Sequence, residues 1–209
     1  VLKAEKIAEL LRTGETAPDP LVISPMPDLD LLKKSGAASV DLRLGRWFMT
    51  LRQSRMTHLE TSGQTSETEF TKTHYVPFGR SYVLHPGAFV LGATLEWIRL
   101  PKDYAAYVIG RSTWGRRGLV IATAIGVHPG FVGSLALELC NQGEIPISIK
   151  PGRTICQLCI HSLITESGIE SVDKSIFVGR RKPILGHIPP DHIANWLGNA
   201  YKEEAPNEM

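Results

Sequence analysis

From His74 onward the sequence is cut at short, regular intervals by turn-forming residues. The signals are Pro77-Phe78-Gly79, His85-Pro86-Gly87, Leu100-Pro101-Lys102-Asp103, His128-Pro129-Gly130, Gln142-Gly143 and Lys150-Pro151-Gly152. Between them lie apolar runs at 82–84, 88–98, 105–109, 119–124, 134–139, 145–149 and 155–163. Proline fixes φ and lacks an N–H, while glycine supplies the positive φ that tight turns need. Many short strands at intervals of roughly 8–12 residues are the pattern of an all-β sandwich or barrel. No helical period interrupts this region, which argues against a doubly wound α/β sheet.

The upstream third is more mixed. Residues 2–13 place Ile7, Leu10 and Leu11 on one side and charged residues on the other, as a short amphipathic helix ended near Gly14. A connection containing Pro18, Pro20, Pro25 and Pro27 follows, then a second short helix over 29–35. Residues 39–45 alternate strictly, predicting a strand with Val40, Leu42 and Leu44 buried. The polar, Ser/Thr-rich stretch 52–73 reads as a mobile loop or a long hairpin tip. Periodicity is lost again after Glu166, in a tail carrying Gly179-Arg180-Arg181-Lys182-Pro183. The chain is therefore expected to form a single domain over 1–209. Its parts are an N-terminal helical and Pro-rich segment (1–38), a β core (39–165) and a C-terminal tail or lid (166–209).

Composition narrows the partners. No apolar stretch approaches the ~20 residues of a membrane-spanning helix, so no membrane partner is expected. Lys3, Glu5, Lys6 and Glu9 interrupt the first residues, unlike a signal peptide. A net charge of +2 is too balanced to point to a nucleic-acid polymer. Three cysteines do not make a disulfide framework, and a reducing cytoplasm is the expected location.

Two groups of residues could carry chemistry. The first is Gly110-Arg-Ser-Thr-Trp-Gly-Arg-Arg-Gly118. Guanidinium forks, hydroxyls and glycine-freed backbone N–H groups all donate to anionic oxygens. A solvated basic turn explains the same run, and it is not a Walker motif. The second is Glu138 within Leu135-Ala-Leu-Glu-Leu-Cys140. Alternation sets Glu138 on one face with Ala136 and Cys140, leaving room beside the carboxylate for a flat ligand. A solvent-facing glutamate on a half-exposed strand accounts equally for the pattern. Cys156-Gln-Leu-Cys159-Ile-His161 resembles half a zinc site, but on a strand the two cysteines face opposite sides, and no second ligand pair follows. The serine-hydrolase elbow and the zinc-deaminase signature are both missing.

Taken in order, several blocks resemble the deoxycytidine triphosphate deaminase family. They are Ser39-Val-Asp-Leu-Arg-Leu-Gly45, Leu84-His-Pro-Gly-Ala-Phe-Val-Leu-Gly-Ala-Thr-Leu-Glu96, Val108 to Leu119, Ala122-Thr-Ala124, Val127-His-Pro-Gly-Phe-Val-Gly133, Leu137-Glu-Leu139 with Asn141, Pro151-Gly152 and Gln157-Leu158. The resemblance implies a mostly β fold, a distorted dUTPase-like β-barrel that assembles as a homotrimer with active sites between subunits. The implied reaction is hydrolytic deamination of dCTP to dUTP and ammonia, in pyrimidine deoxynucleotide metabolism, without zinc. Mg²⁺ would enter on the nucleotide triphosphate, and dTTP is an expected inhibitor.

By position, Glu138 matches the family's catalytic base, and Ser112 and Arg116 match the groups that hold the water and the tetrahedral intermediate. Ala124 matches a backbone carbonyl that orients the nucleophile. Arg111 and Thr113, with Ser112, match the phosphate-contacting run, while Ala136, Leu137 and Gln157 match positions lining the nucleotide pocket. Two departures stand out. Where the family has an aspartate against the sugar, this chain has His128, which can make one hydrogen bond to a hydroxyl but cannot act as a carboxylate base. A dUTPase, or a combined enzyme giving dUMP, is the alternative that His128 argues against. In the tail, residues 175–183 replace the family's lid motif, loosely setting Phe177 and Arg180 in place of lid residues. Arg180 would then clamp phosphates, or the tail is merely a solvated charged segment. A catalytically silent nucleotide-binding trimer is the third reading.

Overall fold

The computed structural model describes residues 1–14, 16–52, 70–164, 179–186 and 193. Helix α1 (Ala4–Arg12) buries Ala4, Ile7, Ala8 and Leu11, a spacing of three and four that makes one face. Leu10, expected on that face, lies at its flank and is only half-buried. Helix α2 (Leu29–Lys34) begins at Asp28, whose carboxylate accepts from the N–H groups of Asp30 and Leu31 at 3.0 Å each. It stops at Gly36, with φ of +61°. No helix among the described residues is long and apolar enough to cross a membrane.

The rest is β structure, and every described pairing is antiparallel. The strands are β1 (Val22–Ser24), β2 (Val40–Arg43), β3 (Trp47–Leu51), β4 (Thr71–Tyr75), β5 (Tyr82–Leu84), β6 (Phe89–Ala93), β7 (Trp97–Arg99), β8 (Tyr104–Gly110), β9 (Leu119–Ile121), β10 (Gly126–Val127), β11 (Val132–Gly133), β12 (Ala136–Asn141), β13 (Ile147–Ile149) and β14 (Thr154–Ser162). They form sheets in the orders β4-β3-β6-β12-β9, β10-β8-β14-β2, β1-β7-β11 and β13-β5. Val40, Leu42 and Leu44 are at most 1% exposed, as alternation requires, and they share one core with Val90, Leu137, Leu139, Leu158 and Ile160. Helix α1 packs on the same core through Ile7, and the Leu2 N–H donates to the Ile160 carbonyl at 2.7 Å.

The Pro-Gly dipeptides do what their chemistry demands. In the turns His85–Ala88, His128–Phe131 and Lys150–Arg153, the N–H of the last residue donates to the carbonyl of the first at 3.0, 3.2 and 3.2 Å. Their glycines take φ of +70°, +71° and +84°. Proline second and glycine third in φ > 0 is the signature of a type II turn.

The structure departs from the sequence reading at several places. The apolar run 88–98 is two strands, β6 and β7, because the chain turns a corner at Thr94-Leu95-Glu96. That corner is polar yet buried: Glu96 is 1% exposed and accepts from the Arg43 backbone N–H at 2.8 Å and its guanidinium at 2.9 Å. Burial raises the Glu96 pKa above the ordinary glutamate value, against the opposing pull of the Arg43 bonds. Strands β3 and β4 escape the sequence reading, and they pair from Trp47↔Tyr75 to Leu51↔Thr71. Of the expected loop 52–73, residues 71–73 belong to β4, and 53–69 lie outside the described residues. A single helical turn, α3 (Ser112–Gly115), stands where only turn and strand were expected. Cys156 is fully buried and its thiol is pushed up to about 12 by burial, while Cys159 is half-buried on the other face. In the tail, Gly179 N–H donates to the Val132 carbonyl at 2.7 Å, and the Arg180 carbonyl accepts from Ser134 N–H at 2.8 Å.

Candidate functional site

Strand order creates the first cluster. β14 lies between β8 and β2, and its Gln157 sits in register with Ile109 on one side and Asp41 on the other. Just past the end of β8, Arg111 forms an ion pair with Asp41, and Gln157 Nε2 donates to the same carboxylate at 3.1 Å. Arg111, Asp41 and Gln157 therefore act as one hydrogen-bonded group on a partly exposed sheet face. The guanidinium is oriented by its acid but keeps further N–H donors for an incoming anion.

Glu138 is the second element. On β12 the side chains alternate strictly: Leu137 and Leu139 are fully buried, while Ala136, Glu138 and Cys140 are partly exposed. The Glu138 N–H donates to Thr123 Oγ1 at 3.0 Å, and its carbonyl accepts from Ala122 N–H at 2.9 Å. The 122–124 segment is thus laid along the strand, with Ala124 just beyond the residue that grips Glu138. Among the described residues, nothing hydrogen-bonds or ion-pairs with the Glu138 carboxylate. A half-buried, unpaired acid between two small side chains has its lone pairs available to a ligand or a water.

The third element is α3. Trp114 faces inward, packs on the core and donates its indole N–H to the Thr154 carbonyl at 2.8 Å. Ser112, Thr113, Arg116 and Arg117 are left on the exposed sides of the turn. The turn is closed by Gly118 with φ of +86°. A Cβ there would lie 2.7 Å from the Gly143 nitrogen, so no other residue fits that close approach. Gly143 is itself held by the side chain of Asn141, which is fully buried. Its Oδ1 accepts from Gly143 N–H, and its Nδ2 donates to the Leu84 and Ile145 carbonyls, each at 2.9 Å.

These anchors separate the pieces. Antiparallel pairing of β9 with β12 sets Leu119 opposite Asn141 and Ile121 opposite Leu139. Helix α3 is therefore moored at the Asn141 end of β12, whereas the Ala122-Thr123-Ala124 segment runs beside Glu138. Within one chain, among the described residues, no hydrogen bond or ion pair joins Ser112 or Arg116 to Glu138. The structure brings together Arg111 with Gln157, and Glu138 with the segment that carries Ala124. It leaves His128 exposed in its type II turn and Arg180 exposed in the tail, and Phe177 lies outside the described residues. The Leu137 side chain lies in the core, which leaves its backbone as the part available to a ligand.

Three participants escaped the sequence reading. Asp41 was visible as the polar residue between Val40 and Leu42, but its partners come from strand register. Thr123 and Trp114 gave no signal beyond residue type.

The chain matches the model of a family described as dCTP deaminase-like over residues 1–163. A dCTP deaminase of Natronomonas pharaonis is 39% identical over 144 residues, covering 68% of this chain and 73% of that protein. A "dCTP deaminase, dUMP-forming" of Methanobrevibacter smithii is 33% identical over 166 residues, covering 79% and 81%. Among solved structures, the 2'-deoxycytidine 5'-triphosphate deaminase from Agrobacterium tumefaciens superposes with a TM-score of 0.55 at 24% identity. That match covers 76% of this chain and 47% of the other, about half of its length, and it speaks to the fold.

Proposed function

Because the chain belongs to the dCTP deaminase family, we propose that it hydrolyses the C4 amino group of dCTP, releasing dUTP and ammonia. The observation that carries this reading is the Glu138 carboxylate. It is half-buried, unpaired among the described residues and flanked on its own face by Ala136 and Cys140, with its backbone fixed by Thr123. In the reaction Glu138 takes a proton from water as the oxygen bonds to C4. Glu138 passes that proton to ring N3. The second proton of the water, from the new C4 hydroxyl, then goes to the departing nitrogen, the C4–N4 bond breaks, ammonia leaves and C4 is left as a carbonyl. A positioned carboxylate of this kind contributes about 10²–10⁴-fold. Ser112 and Arg116 would hold the water and the charge that develops on the tetrahedral carbon's substituents. Arg111 and Thr113 would meet the phosphates, with Mg²⁺ arriving on the triphosphate as part of the substrate.

The mooring of α3 away from Glu138 supports a composite site. Ser112 and Arg116 of one copy would complement Glu138 of the next, in a homotrimer. In this reading His128 would hydrogen-bond the sugar, Gln157 would complete the nucleotide pocket and Arg180 would approach the phosphates from the tail. The same pocket is proposed to admit dTTP as an inhibitor, and a reducing cytoplasm is the proposed setting. A second reading, deamination followed by loss of pyrophosphate to give dUMP, is favoured by the dUMP-forming relative from M. smithii. His128, standing where a carboxylate would be needed, weighs against it.

The test is product chromatography after incubation with dCTP, CTP, dCMP and dUTP in Mg²⁺. Ammonia and dUTP from dCTP are expected, with activity lost by about 10²–10⁴-fold in Glu138→Gln while light scattering still reports a trimer. Pyrophosphate release would move the reading to the dUMP-forming reaction. An inert wild type, or a fully active Glu138→Gln, overturns it.

A further inference from the structure

The chain leaves the five-stranded sheet beside Glu138, and a side chain rather than the backbone marks the exit. β9 pairs with β12 as far as Ile121 opposite Leu139. One residue on, the Ala122 N–H donates to the Glu138 carbonyl at 2.9 Å. In an antiparallel ladder a hydrogen-bonded pair exchanges both bonds, so a continued strand would offer the Ala122 carbonyl to the Glu138 N–H. That N–H instead donates to Thr123 Oγ1 at 3.0 Å. The ladder therefore ends on a hydroxyl, opposite the residue that carries the candidate base.

A second anchor follows at once. The Val108 N–H donates to the Ile125 carbonyl at 2.8 Å, and Gly126 and Val127 pair with Tyr107 and Ala106 in the other sheet. Between Thr123 and Ile125 the chain thus crosses from one sheet to the other, and Ala124 is the residue between the two fixed points. Ala124 is exposed, whereas Thr123 is half-buried. Had the ladder run on, the alternation of bonded and non-bonded pairs would set Ala124 opposite Ala136 as the next bonded pair. The Ala124 carbonyl would then be spent on the Ala136 N–H rather than left for a water. Threonine suits this position, because branching at Cβ stiffens χ1 and limits the directions in which the hydroxyl can point.

We infer that Thr123 is a positioning residue for the deamination. Its hydroxyl stops the β9–β12 ladder at Glu138, and so holds the Ala124 carbonyl clear of the sheet and at a set separation from the base, with the attacking water between them. Thr123 touches neither water nor nucleotide and acts through those two groups. The inference rests on the reading of Glu138 as the base of a dCTP deaminase, and it adds the reason why the strand breaks where it does. Valine has the shape of threonine without the acceptor. It would return the Glu138 N–H to the Ala122 carbonyl, let the ladder extend and draw the Ala124 carbonyl away from the water.

The test compares steady-state deamination of dCTP by the wild type, Thr123→Val and Thr123→Ser, with circular dichroism and light scattering to check folding and assembly. Thr123→Val should lower kcat by about tenfold to a hundredfold, the scale of a small misplacement of reacting groups. KM for dCTP should stay unchanged, because the nucleotide's own contacts are intact. Thr123→Ser keeps the oxygen and should recover most of the rate. In the Glu138→Gln background the valine substitution should cost little more, since the two residues act as one unit. If valine prevents folding, Thr123→Ala carries the same expectations. A wild-type kcat in Thr123→Val, a rise in KM alone, a serine variant as slow as the valine one, or independent losses in the double variant each overturn the inference and leave an active wild type a deaminase. A wild type inert toward dCTP overturns the deaminase reading and the inference together.

Discussion

Replacing Gly118 by alanine tests whether the α3 turn is held by backbone contact. Two costs coincide at this position. A residue with a Cβ at φ of +86° pays about 1–2 kcal/mol for the left-handed region. The added Cβ would also lie 2.7 Å from the Gly143 nitrogen and 2.9 Å from its Cα. Backbone cannot step aside as a side-chain tip can, and forced overpacking costs about 1–3 kcal/mol. Together Gly118→Ala should cost about 2–5 kcal/mol, a large share of the 5–15 kcal/mol typical of a domain. Gly36 is the internal control. Its φ is +61°, but an alanine Cβ there would meet no atom within 4 Å, so Gly36→Ala should cost only the conformational part, about 1–2 kcal/mol. Urea unfolding at one fixed protomer concentration measures both, which keeps any subunit association constant. The deamination rate of Gly118→Ala should fall along with its stability, because α3 carries Ser112 and Arg116, the residues proposed to hold the water. If the two variants unfold within about 0.5 kcal/mol of each other, the contact at Gly143 does not constrain the turn and the mooring of α3 is wrong.

Asn141→Ala should be nearly as damaging. It strands the Leu84 and Ile145 carbonyls and the Gly143 N–H, each bonded at 2.9 Å, for about 3 kcal/mol in all, read from the urea midpoint. Glu96 makes a pH prediction. Its folded pKa is raised by burial, so its stabilising contribution is complete below the unfolded value of 4.5 and is lost as pH climbs through the folded value. The stability of wild type relative to Glu96→Gln should therefore decline from about pH 4.5 upward, and a difference that rises with pH contradicts this. Trp114→Phe removes the bond to the Thr154 carbonyl and should cost about 0.5–1.5 kcal/mol, read from the urea midpoint.

Which parts of the molecule could be read from the chain alone follows from the range of the forces involved. Alternation at Val40-Leu42-Leu44 and at Leu135-Leu137-Leu139 depends only on the two-residue period of a strand, and both faces are buried as expected. Each Pro-Gly dipeptide encodes its own turn, so His85, His128 and Lys150 open turns where the sequence places them. Helix α3 was missed because so short an element carries no measurable period; Trp114 anchors it through a carbonyl 40 residues away. The 88–98 run looked continuous because its corner is stabilised by Arg43, which is distant in sequence. The candidate site shows the same division. Glu138 and the Arg111–Arg116 run announce themselves by residue type and face, whereas Asp41 acquires its place only when β2 and β14 pair.

The central position of β14 has a consequence for how the chain is made. Leu158 pairs with Val40 on one edge and with Val108 on the other, so the β8 and β2 edges have no common neighbour until β14 exists. During synthesis, β2 must wait for almost the entire β core before its hydrogen-bonding edge is covered. Such sequence-distant closure is slow and leaves sticky strand edges open meanwhile. A nascent chain arrested before Thr154 should thus engage holding chaperones, and one released after Ser162 should let go of them.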